Sequence, residues 1–462
     1  MIGIHHTDTY AVTETMQLLK VPWEWYVPGN PYDVVIARKG DIPAYTGNLI
    51  DIANDDIFEN IAQLLNTGRQ HLRTPLADRY IAGLRKELKK YTILIEIPPS
   101  PWGYPYMVAL THDVDTISVR KSSLRTVLVG AVRCFLKGKI FPGMRILAAK
   151  AGIAEDPWDL FGTWQRIEKE LGVRSTFYVI PEFSHKHHFP HRYRDIHYKA
   201  DKKQLDLARS GGWEIGVHGI DGWAIPQLGS DERKQFDGCA GNRTHWLLQD
   251  GSSWSHLDAA GYGYDSSFGY DDDVGFRAGT TQVYQPVLSS YMLELPLHIQ
   301  DAALYGKSCW GLAGSEWIKT PCLNLNDEGV RNLCREVLEC GKLYGGVITL
   351  LWHYENIVPP RDWKETWVYL VRYALGDGAY VSTAENIVNW FRRRRGMHVA
   401  MDRTGNAICI SVSGIPDDKG VLPYRIRLHV KPESVRSANT DMVKTEEYVD
   451  LLGKPEIVVV LE

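Results

Sequence analysis

The chain has 462 residues, 44% hydrophobic and 23% charged, an ordinary globular composition long enough for two or three domains. Its formal net charge of −4 lacks the basic excess that a phosphate backbone demands, so nucleic acid is not the expected partner. Met1 to Asp8 show neither the basic region nor the apolar stretch of a secretory signal, and no run of about 18 apolar residues offers a membrane span, so the expected location is cytoplasmic.

Residues 1–100 alternate helical and strand-like stretches: a helix from Val12 to Leu19, a strand from Tyr32 to Ala37 and a helix from Asp56 to Leu65. This predicts a small α/β domain, closed by the proline cluster Ile97-Pro98-Pro99-Ser100-Pro101, which continues neither a helix nor a central strand. From Met107 the pattern becomes strand, loop, helix. Met107 to Leu110, Ser175 to Ile180, Trp213 to Val217 and Val347 to Leu351 read as short apolar strands. Asp156-Pro157 reads as the N-cap and first residue of a helix that ends at Gly172; further helices are expected around Leu205, from Trp363 to Leu375 and from Ala384 to Arg395. So many parallel βα units predict an α/β fold, a (β/α) barrel over 101–396. Residues 397–462 read as strands, from Val399, Ala407, Tyr424 and Ile457, and predict a small β-sandwich-like domain. The seven cysteines include no C-x-x-C pair, and are read mostly as buried thiols rather than as disulfides or a zinc site.

Polar residues fall at the C-terminal ends of the predicted strands, where β/α barrels assemble their active sites. Leu110 is followed by Thr111-His112-Asp113-Val114-Asp115, Val217 by His218-Gly219-Ile220-Asp221, and Leu351 by Trp352-His353-Tyr354-Glu355. One carboxylate and one imidazole can hold a divalent metal while another such pair serves as base and acid, which is what metal-assisted hydrolysis requires. Taken singly, an Asp at a strand end is as well explained as a helix cap, and a His beside Trp352 as a hydrogen-bonded core residue.

Together these segments resemble the motifs of NodB-type polysaccharide deacetylases, the carbohydrate esterase family 4-like group. Thr111 to Asp115 is similar to the first motif, Glu214 to Gly219 to the second, Gly241-Asn242-Arg243-Thr244-His245-Trp246 to the third, Tyr264-Asp265-Ser266-Ser267 to the fourth, and Leu350 to His353 to the fifth. The resemblance implies a modified (β/α) barrel of the NodB type and a hydrolase of carbon–nitrogen bonds other than peptides, removing N-acetyl groups from an amino sugar of a surface polysaccharide or its precursor. It implies Asp113 as general base, Arg243 as the residue that orients it and keeps it ionised, and His353 as general acid. It also implies a divalent metal, zinc with cobalt or nickel as alternatives, on Asp115 and His218. The second His of the usual motif is replaced by Gly222, which leaves the third ligand open between Asp221 and His245, or the site weak in metal. His245, Trp246, Tyr264 and Asp265 are the implied substrate-binding residues. Two other functions stay open: a catalytically inactive carbohydrate-binding or assembly module on the same barrel, and a hydrolase of other linear or cyclic C–N bonds.

Three further features stand outside the motifs. Residues 116–150 hold eight Lys or Arg and no Asp or Glu, interleaved with apolar residues such as Val127, Leu128, Phe135 and Phe141. Such a segment suits contact with an anionic membrane at its inner face, where a lipid-linked glycan precursor would be the substrate, or else a surface insertion packed on the barrel. His185, His187, His188, His191 and His197 suggest a second metal site or a solvated loop, the interspersed Lys186, Arg192 and Arg194 favouring the loop. Trp223, Trp246, Trp254 and Tyr264 offer a sugar-stacking surface or ordinary packing, and Asp301 a pocket residue or a cap.

Overall fold

A computed structural model describes residues 1–182, 200–306, 322–415 and 422–462. The histidine cluster at 185–197 lies outside the described residues.

The first segment forms a four-stranded parallel sheet with Trp23–Trp25, Ile2–Ile4, Val34–Ala37 and Leu49–Asp51 side by side. Its helices begin where short acidic side chains cap them. Asp8 accepts from the Ala11 amide ahead of Thr9–Leu19, and Asp56 from the Phe58 and Glu59 amides ahead of Ile57–Thr67. This layer is tied to the last barrel helix, Ala384–Gly396. The fully buried Arg394 donates to the carbonyls of Gln17, Leu18 and Ile97, and Arg395 pairs with Glu14 at 2.7 Å.

The centre of the molecule is a nine-stranded parallel sheet curled into a modified (β/α) barrel. Its order is Leu293–Glu294, Tyr264–Asp265, Gly241–Thr244, Glu214–Gly219, Thr176–Val179, Met107–Val114, Val347–Leu351 and Ile299–Gln300, with Tyr380–Ser382 pairing the start of Met107–Val114. The outermost strands, 293–294 and 299–300, are separated by only four residues and share no ladder, so the barrel stays open at that seam. Every residue of Met107–Val114 is buried, as expected for a parallel strand covered on both faces.

The last segment folds as two four-stranded antiparallel sheets. In Ala407–Ser413 the alternate residues Ile408, Ile410 and Val412 point inward. The second of these sheets recruits Leu94–Glu96, from ahead of the proline cluster, as an edge strand beside Arg425–His429.

One helix start differs from the expectation. The helix following Asp156-Pro157 runs from Phe161 to Leu171. Asp156 instead accepts from Ser118 Oγ at 2.6 Å and from the Val119 and Trp158 amides at 3.0 Å, closing the base of the 116–150 segment. That segment is a helical hairpin, Leu124–Leu136 and Ile140–Lys150. Of the six described cysteines, all free, only Cys134 and Cys334 are buried, so the expectation of mostly buried thiols does not hold for them.

Candidate active site

Side chains two apart on a strand share a face. Thr111, Asp113 and Asp115 therefore look the same way, into the barrel mouth, and His112 looks the opposite way into the packing around Trp164. There His112 Nδ1 donates to the Trp352 carbonyl at 2.8 Å and Nε2 meets Glu168 at 3.1 Å, a structural role. On the mouth side Arg243, fully buried, bridges strands: Nη1 donates to Thr111 Oγ1 at 2.8 Å and to Asp113 Oδ1 at 3.2 Å, while Nε and Nη2 donate to the Ser266 carbonyl and hydroxyl. An ion pair this buried is geometrically fixed, because either charge alone would be left unsolvated.

The second centre is Asp115, His218 and His245, whose candidate ligand atoms lie within 4.8 Å of one another. In the sheet His218 pairs with Arg243, which puts His245 one step beyond the neighbouring strand end. His218 Nδ1 donates to the Arg243 carbonyl at 2.8 Å, since a carbonyl only accepts, and its Nε2 faces Asp115, 3.3 Å away. His245 Nδ1 stands 2.9 Å from that Nε2 and 3.4 Å from the same Asp115 oxygen. Asp115 Oδ1 is buried without a hydrogen-bond partner among the described residues. Burial opposes ionisation of Asp115, but the imidazoles of His245 and His218, with His353 beyond, outweigh it and hold its carboxyl well below the usual range. Burial also lowers His245, whereas for His218 the carboxylates of Asp113 and Asp115 overcome burial and raise it. A buried carboxylate oxygen facing two imidazole nitrogens is a donor set suited to a divalent cation, and the residues present fit one.

Asp221, the other candidate for third ligand, is not in this group. Its amide donates to Glu232 Oε1 at 2.8 Å, and its carbonyl accepts from the Ala224 and Ile225 amides at the entry to the helix Pro226–Lys234. The same helix explains Gly222: a Cβ there would lie 2.7 Å from Gly229 Cα, so a histidine has no room and the imidazole comes from the next strand. Gly222→Ala is expected to destabilise the fold by about 1–3 kcal/mol through this backbone collision. Thermal unfolding checks it, and an unchanged Tm would mean that the helix moves aside freely.

The third centre is His353, at the end of Val347–Leu351. Its Nδ1 lies 2.6 Å from Asp301 Oδ1, and Asp301 Oδ2 accepts from the His353 amide at 2.9 Å and from Asn356 at 2.6 Å. Asp301 is thus the carboxylate behind His353, not merely a cap. Burial disfavours the imidazolium, yet Asp301, with Asp115 and Asp113, raises the His353 pKa to about 10.

These centres open into a cavity of about 350 Å³, within the range of small-ligand sites. Asp113, Asp115, His218, His245 and His353 form its floor; Trp158, Trp246, Glu355, Arg361 and the helix Leu124–Leu136 wall it. Trp246 and Leu247 sit in the left-handed backbone region, with φ of 62° and 51°, a local strain of the kind found at binding sites. Tyr264 and Asp265, predicted to bind substrate, do not line the cavity. The Tyr264 hydroxyl donates to Glu214 at 2.5 Å inside the barrel, and Asp265 accepts from Asn242 and Ser267. Trp254 is likewise buried, its indole N–H on Glu294, so of the four predicted aromatics only Trp246 meets the cavity. Trp158 and Arg361 went unforeseen because neither lies at a strand end.

No protein-family model matches the chain, and no curated protein matches it. Solved structures similar to it include a candidate polysaccharide deacetylase from Mycobacterium smegmatis, 17% identical over 67% of this chain and 99% of that one, with a TM-score of 0.42. The Puue allantoinase is 10% identical over 64% and 94% of the two chains (TM-score 0.40), and a candidate polysaccharide deacetylase from Pseudomonas aeruginosa PAO1 is 13% identical over 64% and 95% (TM-score 0.39). At such scores these likenesses do not decide function, which rests on the side chains of the barrel mouth.

Proposed function

We propose that this chain is a metal-dependent hydrolase that removes N-acetyl groups from an amino sugar of a surface polysaccharide or its precursor. The observation that carries the reading is Asp115 Oδ1, buried without a hydrogen-bond partner among the described residues and faced by two imidazole nitrogens, with an Arg-anchored Asp and an Asp-backed His beside it. Asp115, His218 and His245 are the residues that would hold a divalent ion, zinc or alternatively cobalt or nickel. Such an ion supplies Lewis acidity and a bound water of lowered pKa.

The chain's own groups do the proton work. Asp113, held by Arg243, accepts the proton of the attacking water as general base. Thr111 shares Nη1 with Asp113, and Ser266 takes Nε and Nη2, so the guanidinium is held in place against the carboxylate. His353 is protonated at neutral pH and gives its proton to the departing amine, with Asp301 orienting the ring. Trp246 and Trp158, both lining the cavity, are the aromatic side chains available to pack on a sugar ring. The products are acetate and a free amino sugar.

Acetate release from N-acetylated glucosamine oligomers, compared with hydrolysis of small linear amides and cyclic ureides, tests the reading. Acetate from the sugars is expected. Turnover of the small amides alone would move the function to other C–N bonds, and turnover of neither would leave a carbohydrate-binding module.

A further inference from the structure

The helix Leu124–Leu136 divides its residues among three faces. At 3.6 residues per turn, Val127, Ala131 and Cys134 form one stripe, all buried against Ile146 and Ala149 of the second hairpin helix and against Trp158. Thr126, Val129, Gly130 and Arg133 form a second, which walls the active-site cavity. Leu124, Leu128, Val132 and Leu136, spaced by four, form a third, and these are 62%, 47%, 46% and 83% exposed. On the second hairpin helix Phe141 and Met144 are also exposed, at 80% and 59%. Eight of the twenty-one exposed large apolar side chains among the described residues fall within 124–144, a concentration that ordinary surface scatter does not give.

The charge around this face has one sign. Eight Lys and Arg and no acid lie between 116 and 150. Lys139 pairs with Asp362 and Arg145 with Glu155, which leaves the hairpin positive. Lys137, donating to the Pro360 carbonyl, and the Lys139–Asp362 pair fasten the hairpin to the loop that carries Arg361, another cavity residue. The apolar stripe therefore lies on the same helix that walls the active-site cavity.

We propose that this face docks on an anionic lipid bilayer and, resting on the deacetylase reading, that the acetylated sugar reaches the cavity on a lipid phosphate carrier anchored in that bilayer. An amphipathic surface that combines exposed Leu and Phe with a basic surround inserts its apolar side chains at the headgroup boundary, while Lys and Arg meet anionic lipid. The stripe facing the bilayer and the stripe facing the cavity lie about a third of a turn apart on one helix. A sugar held close to the membrane surface by its phosphate thus enters beside Arg125 and Arg133, two cavity-lining residues whose charge suits that phosphate.

The experiment is retention of the full chain on phosphatidylcholine vesicles with and without about one third phosphatidylglycerol, at low and high salt, beside the double variant Leu128→Glu/Phe141→Glu. Both side chains are exposed and neither lines the cavity, so the variant is expected to keep its Tm and its acetate release from water-soluble oligomers. Retention on the anionic vesicles only, weakened by salt and lowered at least about tenfold in the variant, is the predicted result. On vesicles loaded with an acetylated sugar on a long-chain lipid phosphate, the variant is expected to deacetylate about tenfold more slowly than wild type. No retention at low salt, or equal retention of the variant, overturns the docking. So does a dimer in solution that the variant splits without any vesicle retention, which would assign the face to a second copy. Equal rates on the loaded vesicles overturn the carrier. Vesicle retention involves no chemistry and the soluble oligomers need no membrane, so failure of the docking and failure of the deacetylase reading register separately.

Discussion

Asp113→Asn is expected to lower kcat by about 10²–10⁴-fold while the chain keeps its bound metal. Asparagine preserves the shape of the carboxylate and an acceptor for Arg243, whose Nη1 lies 3.2 Å from Asp113 Oδ1, but it has no basic oxygen to take a proton. It also leaves the guanidinium buried without its counter-charge, so a lower Tm should accompany the loss, and activity is to be measured well below that temperature. Activity within tenfold of wild type would place the base elsewhere. The alternative in the cavity is Glu355: burial and the neighbouring Asp115 push its carboxyl up to about 7 against the pull of Arg361. Activity surviving in Asp113→Asn with a midpoint near pH 7 would point to it.

Asp301→Asn is expected to move the alkaline limb of the rate profile downward. In the folded chain burial works against the His353 imidazolium, but Asp301 at 2.6 Å, with Asp115 and Asp113, raises its pKa from the ordinary 6.5 to about 10. The proton-donating form therefore persists through neutral pH, and the rate falls as pH climbs toward 10. Stability follows the same sign: a folded pKa above the unfolded one contributes fully below about 6.5 and is lost as pH rises toward 10. Removing the largest raising partner should shift the alkaline limb down by roughly two pH units. His353→Ala should cost about 10²–10⁴-fold in kcat at every pH. A pH–rate profile for Asp301→Asn that superimposes on wild type would rule out His353 as the acid whose loss of a proton sets that limb.

Much of the barrel was legible because its signals are local. Apolar runs such as Val347 to Leu351, each ending in polar residues, locate strands and the side chains at their C-terminal ends, so Asp113, Asp115, His218 and His353 could be proposed from sequence, while Arg243 and His245 came from the motif resemblance; all but Arg243, buried behind Asp113, line one cavity. What sequence could not resolve depends on contacts across the fold. The choice between Asp221 and His245 turns on where Pro226–Lys234 packs, and the proximity of Gly222 to Gly229 is invisible in a linear pattern. Tyr264 and Asp265 sit in a motif beside the site, yet their strand turns Tyr264 into the barrel interior and Asp265 to the opposite face, and neither lines the cavity. Asp156 reads as a helix cap because Asp-Pro so often is one, but its carboxylate closes a turn 36 residues upstream. The pairing of Leu94–Glu96 with Arg425–His429 spans most of the chain and leaves no local trace. Asp301 could have been suspected as the partner of a histidine only once Ile299–Gln300 was known to lie beside Val347–Leu351.

The most direct test of the account is the divalent metal content of purified wild type after incubation with zinc, cobalt or nickel, beside Asp115→Ala, His218→Ala, His245→Ala and Asp221→Ala. About one ion per chain is expected in wild type and in Asp221→Ala, and near none in the other three, since each of those variants loses one of the three side chains that would hold the ion. A wild type that stays empty with all three metals, or an Asp221→Ala variant that loses its ion while His245→Ala keeps it, would contradict the account.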